Sequence, residues 1–226
     1  MKVNRRKAKM AKSKSHFCLK KIIDFLINIG KLKKKERRGW ILRGIKNPET
    51  IGEHTFRVAI MAWLLGREKK LNVEKLIKMA LIHDLAEIYA GDATPYDGIL
   101  PKDKRKQKEI LNQWPRFSKS AKIRQLLKRK KAENAAIVKL ISKLSPGLKK
   151  EIMNLWLEFN EGLSKEGKLI RQVDKTENLL QALEYWKEDK NFPIRPWWIQ
   201  IKELIDVDIL FDFIEELDKK FHKKWS

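Results

Sequence analysis

Apolar residues recur along this chain at steps of three and four, the spacing of one helix face. No stretch alternates strictly between apolar and polar with hairpin signals at its ends. The pattern predicts an all-α fold of about seven to nine helices. A first amphipathic helix is expected from Phe17 to about Gly30, carrying Ile22, Ile23, Phe25, Leu26 and Ile29. A basic loop through Arg37, Arg38, Gly39 and Trp40 then leads to Asn47 and Pro48. Thr50 with Glu53 three residues on reads as a capping box, which starts a second helix carrying His54. Asn72 is the expected N-cap of a third helix that runs to near Tyr89, with Gly91 marking its end. Pro115 divides the segment 102–131 into two helical pieces. Further helices are expected over 132–144, from Pro146 to about Glu161, from Lys165 to about Glu188, and from Pro196 to the C-terminus.

Composition narrows the picture. At 226 residues the chain fits one domain with a single core. Fifty-two Lys and Arg against 29 Asp and Glu leave a formal charge of +23, which gathers anions such as nucleotides and nucleic acids. The first acid is Asp24, so residues 1–16 read as a disordered basic tail ahead of a domain spanning 17–226. The stretch 102–131 holds thirteen Lys or Arg and two acids, a second basic segment able to meet nucleic-acid phosphates. One cysteine, Cys18, allows no internal disulfide and suits a reducing cytoplasm. The longest apolar run, 58–65, is far short of the roughly 20 residues that span a bilayer, so no membrane span is expected.

Chemistry concentrates in few places. Within the third predicted helix, Leu76, Ala80, His83 and Glu87 form one stripe, with Ile77, Leu81, Asp84 and Ile88 beside it. That spacing turns His83, Asp84 and Glu87 inward together. Buried carboxylates and imidazoles are costly unless paired, hydrogen-bonded or coordinating a cation. The same reasoning reaches Asp174, set among Ile170, Val173 and Leu180, and His54 in the first turn of its helix. Two imidazoles and two carboxylates suit Mn, Co, Fe, Ni or Zn better than Ca. A divalent ion of that kind activates water and polarises a phosphoryl oxygen. Glu87, one turn beyond His83, is placed to exchange protons or to orient that water. His16 and His222 lack such company and read as surface residues, and Trp197, Trp198, Phe211 and Phe213 read as packing or dimer contacts.

The series His54, His83 with Asp84, then Asp174 resembles the H…HD…D signature of the HD superfamily of metal-dependent phosphohydrolases. The flanks Pro48-Glu49-Thr50-Ile51-Gly52-Glu53-His54, His83-Asp84-Leu85-Ala86-Glu87 and Gly91-Asp92 resemble its 5′-deoxynucleotidase branch. The likeness covers about 17–185 and implies an HD-domain helical bundle that works as a homodimer. It further implies that His54, His83, Asp84 and Asp174 ligate a divalent metal, Mg among the options. Glu87 matches the catalytic acid/base, and Asp92 matches an acid near the sugar or near a second cation. Trp40 is similar to a tryptophan that stacks on the deoxyribose. The phosphate-binding arginine of some relatives directly precedes that tryptophan, whereas here Gly39 intervenes and Arg38 stands one place earlier.

The expected reaction is hydrolysis of deoxyribonucleoside 5′-monophosphates to deoxynucleoside and phosphate. Two alternatives stand beside it. One is an HD phosphohydrolase acting on a nucleoside triphosphate, a cyclic dinucleotide or an alarmone. The other is a basic nucleic-acid-binding protein on an HD scaffold, using the tail and the segment 102–131.

Overall fold

The computed structural model describes residues 19–113 and 116–222, with the side chain of residue 222 left out. The predicted tail 1–16 lies outside these residues. Among the described residues every element is helical, and the only sheet-like pairing is an isolated antiparallel bridge between Glu36 and Thr50. An opening helix α1 (19–29) runs into a 3₁₀ turn, Gly30–Lys34. Then follow α2 (Arg38–Ile41), α3 (Ile51–Glu68), α4 (Val73–Ile82) and α5 (Glu87–Ala90). The rest are α6 (Lys104–Leu111), α7 (Lys119–Ile141), α8 (Pro146–Glu161), α9 (Lys165–Glu188), α10 (Arg195–Leu204) and α11 (Asp208–His222). None of them is long and apolar enough to cross a membrane.

The all-α expectation holds, but there are more helices than the seven to nine expected. Two of the extra ones arise where helices are cut without Gly or Pro. The expected helix 72–89 stops at Ile82, because the backbone tightens to three-residue bonds: Leu85 N–H to Ile82 O at 3.1 Å and Glu87 N–H to Asp84 O at 3.0 Å. The expected C-terminal helix breaks at Ile205, which is extended, and Oε1 of Gln172 takes up the freed N–H groups of Asp206 (2.9 Å) and Val207 (3.0 Å). Conversely, the separate helix expected from residue 132 is the second half of α7, which starts at the Ser118 cap and runs unbroken to Ile141. The loop expected around Arg38 contains the single turn α2.

Helix α9 organises the bundle. It packs against α3, α4, α8, α10 and α11 and is therefore covered on most sides, so its outward polar stripe is narrow. One core layer brings Val58 and Ala62 of α3, Leu76 and Met79 of α4, and Ile170, Val173 and Leu179 of α9 together. A second lies under α5, α7 and α8, around Ile51, Leu85, Ile137, Leu140 and Trp156. Full burial of each such aliphatic side chain contributes roughly 1.5–3 kcal/mol. Gly66 lets α3 and α4 approach: a Cβ there would stand 2.3 Å from Cδ1 of Leu76. The candidate chemistry sits where α3, the end of α4 and α9 meet.

Candidate metal centre

His54 enters the site from the fourth position of α3. Its helix starts where the sequence demands, since Thr50 Oγ1 accepts from Glu53 N–H (3.2 Å) and the Glu53 carboxylate accepts from Thr50 N–H (2.7 Å). His83 and Asp84 come from the tightened turn after α4, and Asp174 from the middle of α9. His54, His83 and Asp174 are buried, while Asp84 keeps 18 % of its side chain accessible and forms the open side.

The four predicted donors meet. Nε2 of His54 lies 3.1 Å from Oδ1 of Asp174, 3.3 Å from Nε2 of His83 and 3.7 Å from Oδ2 of Asp84. Nε2 of His83 is 3.1 Å from the same Asp84 oxygen. The other nitrogen of each ring is already committed: Nδ1 of His83 donates to the Ala80 carbonyl at 2.6 Å, and Nδ1 of His54 donates to the Glu177 carboxylate. Those bonds set the tautomers, so in the neutral rings both Nε2 atoms carry lone pairs that face each other and the neighbouring carboxylates. His54, His83 and Asp84 lie close enough together to share a cation, and Asp174 Oδ1 adjoins them through His54. Atoms bound at about 2.1 Å to one ion stand roughly 3–3.5 Å apart, and the atoms of His54, His83 and Asp84 stand 3.1, 3.3 and 3.7 Å apart.

The titration behaviour points the same way. Burial and Arg37 push the His54 pKa down, yet Glu177 and Asp174 overcome both and hold it at about 9. Burial alone would raise Asp84 and Asp174. His83 and His54 hold Asp84 well below the carboxylate range instead, and Lys175, whose Nζ is 2.8 Å from Oδ2, with His54 does the same for Asp174. This is a pocket short of positive charge. His54, His83 and Asp84 could hold a metal ion, and Asp174 Oδ1 adjoins them. A second set, Glu49, His54 and Glu177, is also close enough. Its carboxylates, however, already face the guanidinium groups of Arg37 and Arg57.

Glu87 and Asp92 lie near enough to Asp84 to feel its charge. Burial, then Asp84 and Asp92, raises the Glu87 carboxyl well above its usual range, and its Oε2 is buried without a hydrogen-bond partner. Asp92 accepts the backbone N–H of Arg38 at 2.7 Å, and burial raises it too, against the pull of Arg37. The Arg38 guanidinium, half exposed, pairs with Asp97 at 2.8 Å, which competes with a phosphate contact. Trp40 departs further from expectation. It is 1 % exposed, its indole N–H donates to Glu49 at 2.8 Å, and its ring packs against Tyr185 (5.1 Å) and Trp197 (4.6 Å). An indole enclosed in that aromatic cluster has no face left for a sugar.

Several residues here escaped the sequence reading. Glu177, wholly buried, holds His54 and also accepts from Nε of Arg57 at 2.8 Å. Arg57 reaches on to Gln181 and to Glu184 (2.6 Å). Asp174, Glu177, Gln181 and Glu184 follow at steps of three, four and three, so a polar stripe at helical spacing along α9 was the available signal. Arg37 was hidden in a basic run. Its NH1 is buried without a hydrogen bond, 3.9 Å from Glu49 and 4.0 Å from Glu177, and Asp84, Glu49, Asp174 and Asp92 raise its pKa despite burial.

Three comparisons bear on this arrangement. The chain is 33 % identical over 171 residues to a Xenopus laevis protein named 5′-deoxynucleotidase HDDC2, covering 76 % of this chain and 72 % of that one. It is 33 % identical to the human protein of the same name over 165 residues, covering 73 % and 68 %. Among solved structures, the PH0347 protein of Pyrococcus horikoshii superposes with a TM-score of 0.64 at 27 % identity, covering 87 % of this chain and 98 % of that one. A family model described as HD domain matches residues 29–195, a span that includes all four converging donors. By that match, the chain belongs to the HD domain family.

Proposed function

We propose that the protein hydrolyses deoxyribonucleoside 5′-monophosphates to deoxynucleoside and phosphate, with His54, His83, Asp84 and Asp174 holding a divalent metal. The observation that carries this reading is the convergence of His54, His83 and Asp84, with Asp174 Oδ1 beside His54 and the outer nitrogens of both imidazoles already hydrogen-bonded. The relatives named 5′-deoxynucleotidase supply the choice of substrate. The donor set favours Mn, Co, Fe, Ni or Zn over Ca. Such an ion supplies Lewis acidity toward a phosphoryl oxygen and makes water a better nucleophile near neutral pH.

The chain's own residues do the rest. Glu87, whose carboxyl is pushed well above its usual range by burial and by its acidic neighbours, gives a proton to the 5′ oxygen as the P–O5′ bond breaks and water's oxygen joins phosphorus, and a proton from that water restores it. Arg37, whose buried NH1 faces Glu49 and Glu177 at 3.9 and 4.0 Å without a hydrogen bond, is the arginine that meets a phosphate oxygen. Asp92, fixed by the Arg38 amide, takes a sugar hydroxyl. The exposed residues Phe56, Ile60, Trp63 and Leu64 share one face of α3 and form the contact of a homodimer.

The test uses metal-stripped protein with Mn, Co, Mg and Zn added back over a panel of deoxy- and ribonucleoside monophosphates. Phosphate should appear with the deoxy substrates. Equal rates on both sugar types would remove the specificity, and no phosphate from any nucleotide would remove the enzyme reading.

A further inference from the structure

A cavity of about 450 Å³ opens between the loop after α5, on both sides of Asp92 in the chain, and the basic helix α7. Gly91, Thr94 and Asp97 line its near side, and Glu133, Arg129 and Lys122 line it from α7. Gly91 and Ala93 flank Asp92, which ties the cavity wall to the acids near the centre. The acids of the cavity are already answered: Asp97 by Arg38 at 2.8 Å, and Glu133 by Arg129 at 3.4 Å. Lys122 and Lys128, by contrast, have no side-chain hydrogen bond or ion pair among the described residues and add uncompensated positive charge to its wall. Phe117 and Leu126 give the same wall an apolar surface on which a base can rest. From Glu133 to Lys122 the helix advances about 16 Å. That reach extends beyond one nucleotide, and a cationic groove with an aromatic surface is how proteins follow a single strand.

We infer that this cavity takes a phosphate on the 3′ side of the substrate nucleotide, held by Lys122 and Lys128, so that the preferred substrate is a deoxynucleotide 5′-phosphate bearing a further 3′ phosphate. This rests on the hydrolytic reading above and deepens it. The bond broken is still that between phosphorus and the 5′ oxygen. Water adds to phosphorus, the 5′ oxygen leaves with a proton, and the 3′ phosphate stays in place. A nucleoside 3′,5′-bisphosphate and the 5′-phosphorylated end of a DNA strand share this chemistry.

The test compares dAMP, its 3′,5′-bisphosphate and a 5′-phosphorylated deoxyadenosine dinucleotide on the Mn-loaded full chain, with products separated by chromatography. The bisphosphate should be turned over with a kcat/KM about tenfold above that of dAMP, with loss of the 5′ phosphate, and the advantage should shrink with added salt. An equal advantage for the dinucleotide identifies a strand end as the source, and an advantage confined to the bisphosphate identifies a small molecule. Lys122→Ala with Lys128→Ala should remove most of the preference, whereas Lys219→Ala with Lys220→Ala, the same charge loss on α11, should not. No preference, or one that survives the α7 substitutions, overturns the inference while leaving the monophosphate reading intact. If none of the three substrates is hydrolysed, the hydrolytic reading itself fails and this inference falls with it.

Discussion

Glu177, wholly buried in α9, accepts the Nδ1 proton of His54 from α3, 123 residues away in the chain. That bond turns the other nitrogen of the ring, Nε2, toward Asp174, His83 and Asp84. The carboxylate is in turn kept ionised, since His54, Arg57 and Arg37 lower its pKa against burial. Partners that orient a metal-binding histidine in this way are commonly worth about 10–100-fold in metal affinity. Glu177→Ala should therefore weaken Mn binding by about that factor, read by calorimetric titration. Glu177→Gln keeps an acceptor for Nδ1 and should recover much of the loss. Equal affinity in all three proteins would separate Glu177 from the centre.

Asp84 offers a second test, which needs no substrate. A ligand that binds only the folded state at a hundred times its Kd stabilises it by about 2.7 kcal/mol. For a chain of this length each kcal/mol raises Tm by about 2–4 °C. Saturating Mn or Co should thus raise Tm by several degrees, and a chelator should reverse the shift. Asp84→Ala removes the oxygen that lies 3.1 Å from His83 and 3.7 Å from His54, and should abolish the response. A shift that persists in that variant would move the metal elsewhere.

The sequence made the donors legible more readily than their supports. His54 followed from a capping box that fixes where α3 starts, and the His83–Asp84 pair stood out against an apolar helix. Asp174 could be recognised only as the last member of the series. Glu177 looked like any acid on a charge-rich helix, because its burial depends on α3 lying across it, a tertiary fact. The break after Ile82 was equally hidden: no Gly or Pro marks it, and the tightened turn shows only in its hydrogen bonds. Trp40 misled because a tryptophan beside a basic run suits a ligand wall and a core equally well, and the cluster with Tyr185, Phe192 and Trp197 decides for the core.

Gly167 near the start of α9 is a third point of leverage. A Cβ there would stand 2.8 Å from the carbonyl oxygen of Glu158 in α8, a backbone atom that cannot swing aside. Ordinarily Gly→Ala within a helix stabilises by up to about 1 kcal/mol. Here the overpacking cost of about 1–3 kcal/mol should dominate, so Gly167→Ala should lower the urea midpoint. An unchanged or raised midpoint would mean that α8 and α9 can separate freely at this crossing.

Trp40 tests whether the aromatic cluster supports the site or touches substrate. Trp40→Phe keeps a ring against Tyr185 and Trp197 but removes the N–H that Glu49 accepts at 2.8 Å, a buried bond worth about 1–3 kcal/mol. The loss should vary with pH. Burial and the neighbouring Glu177 already push the Glu49 carboxyl up to about 7 from 4.5. The folded protein therefore binds more protons than the unfolded chain between those values, and its stability falls as pH rises through that window. Removing the indole donor raises the folded pKa further and extends the fall to higher pH. Metal-free Trp40→Phe should accordingly be closest to wild type below pH 4.5 and furthest from it above pH 7, in urea melts at a series of pH values. The ratio of deoxy to ribo turnover should stay as in the wild type. A collapse of that ratio with no loss of stability would return the indole to the substrate wall.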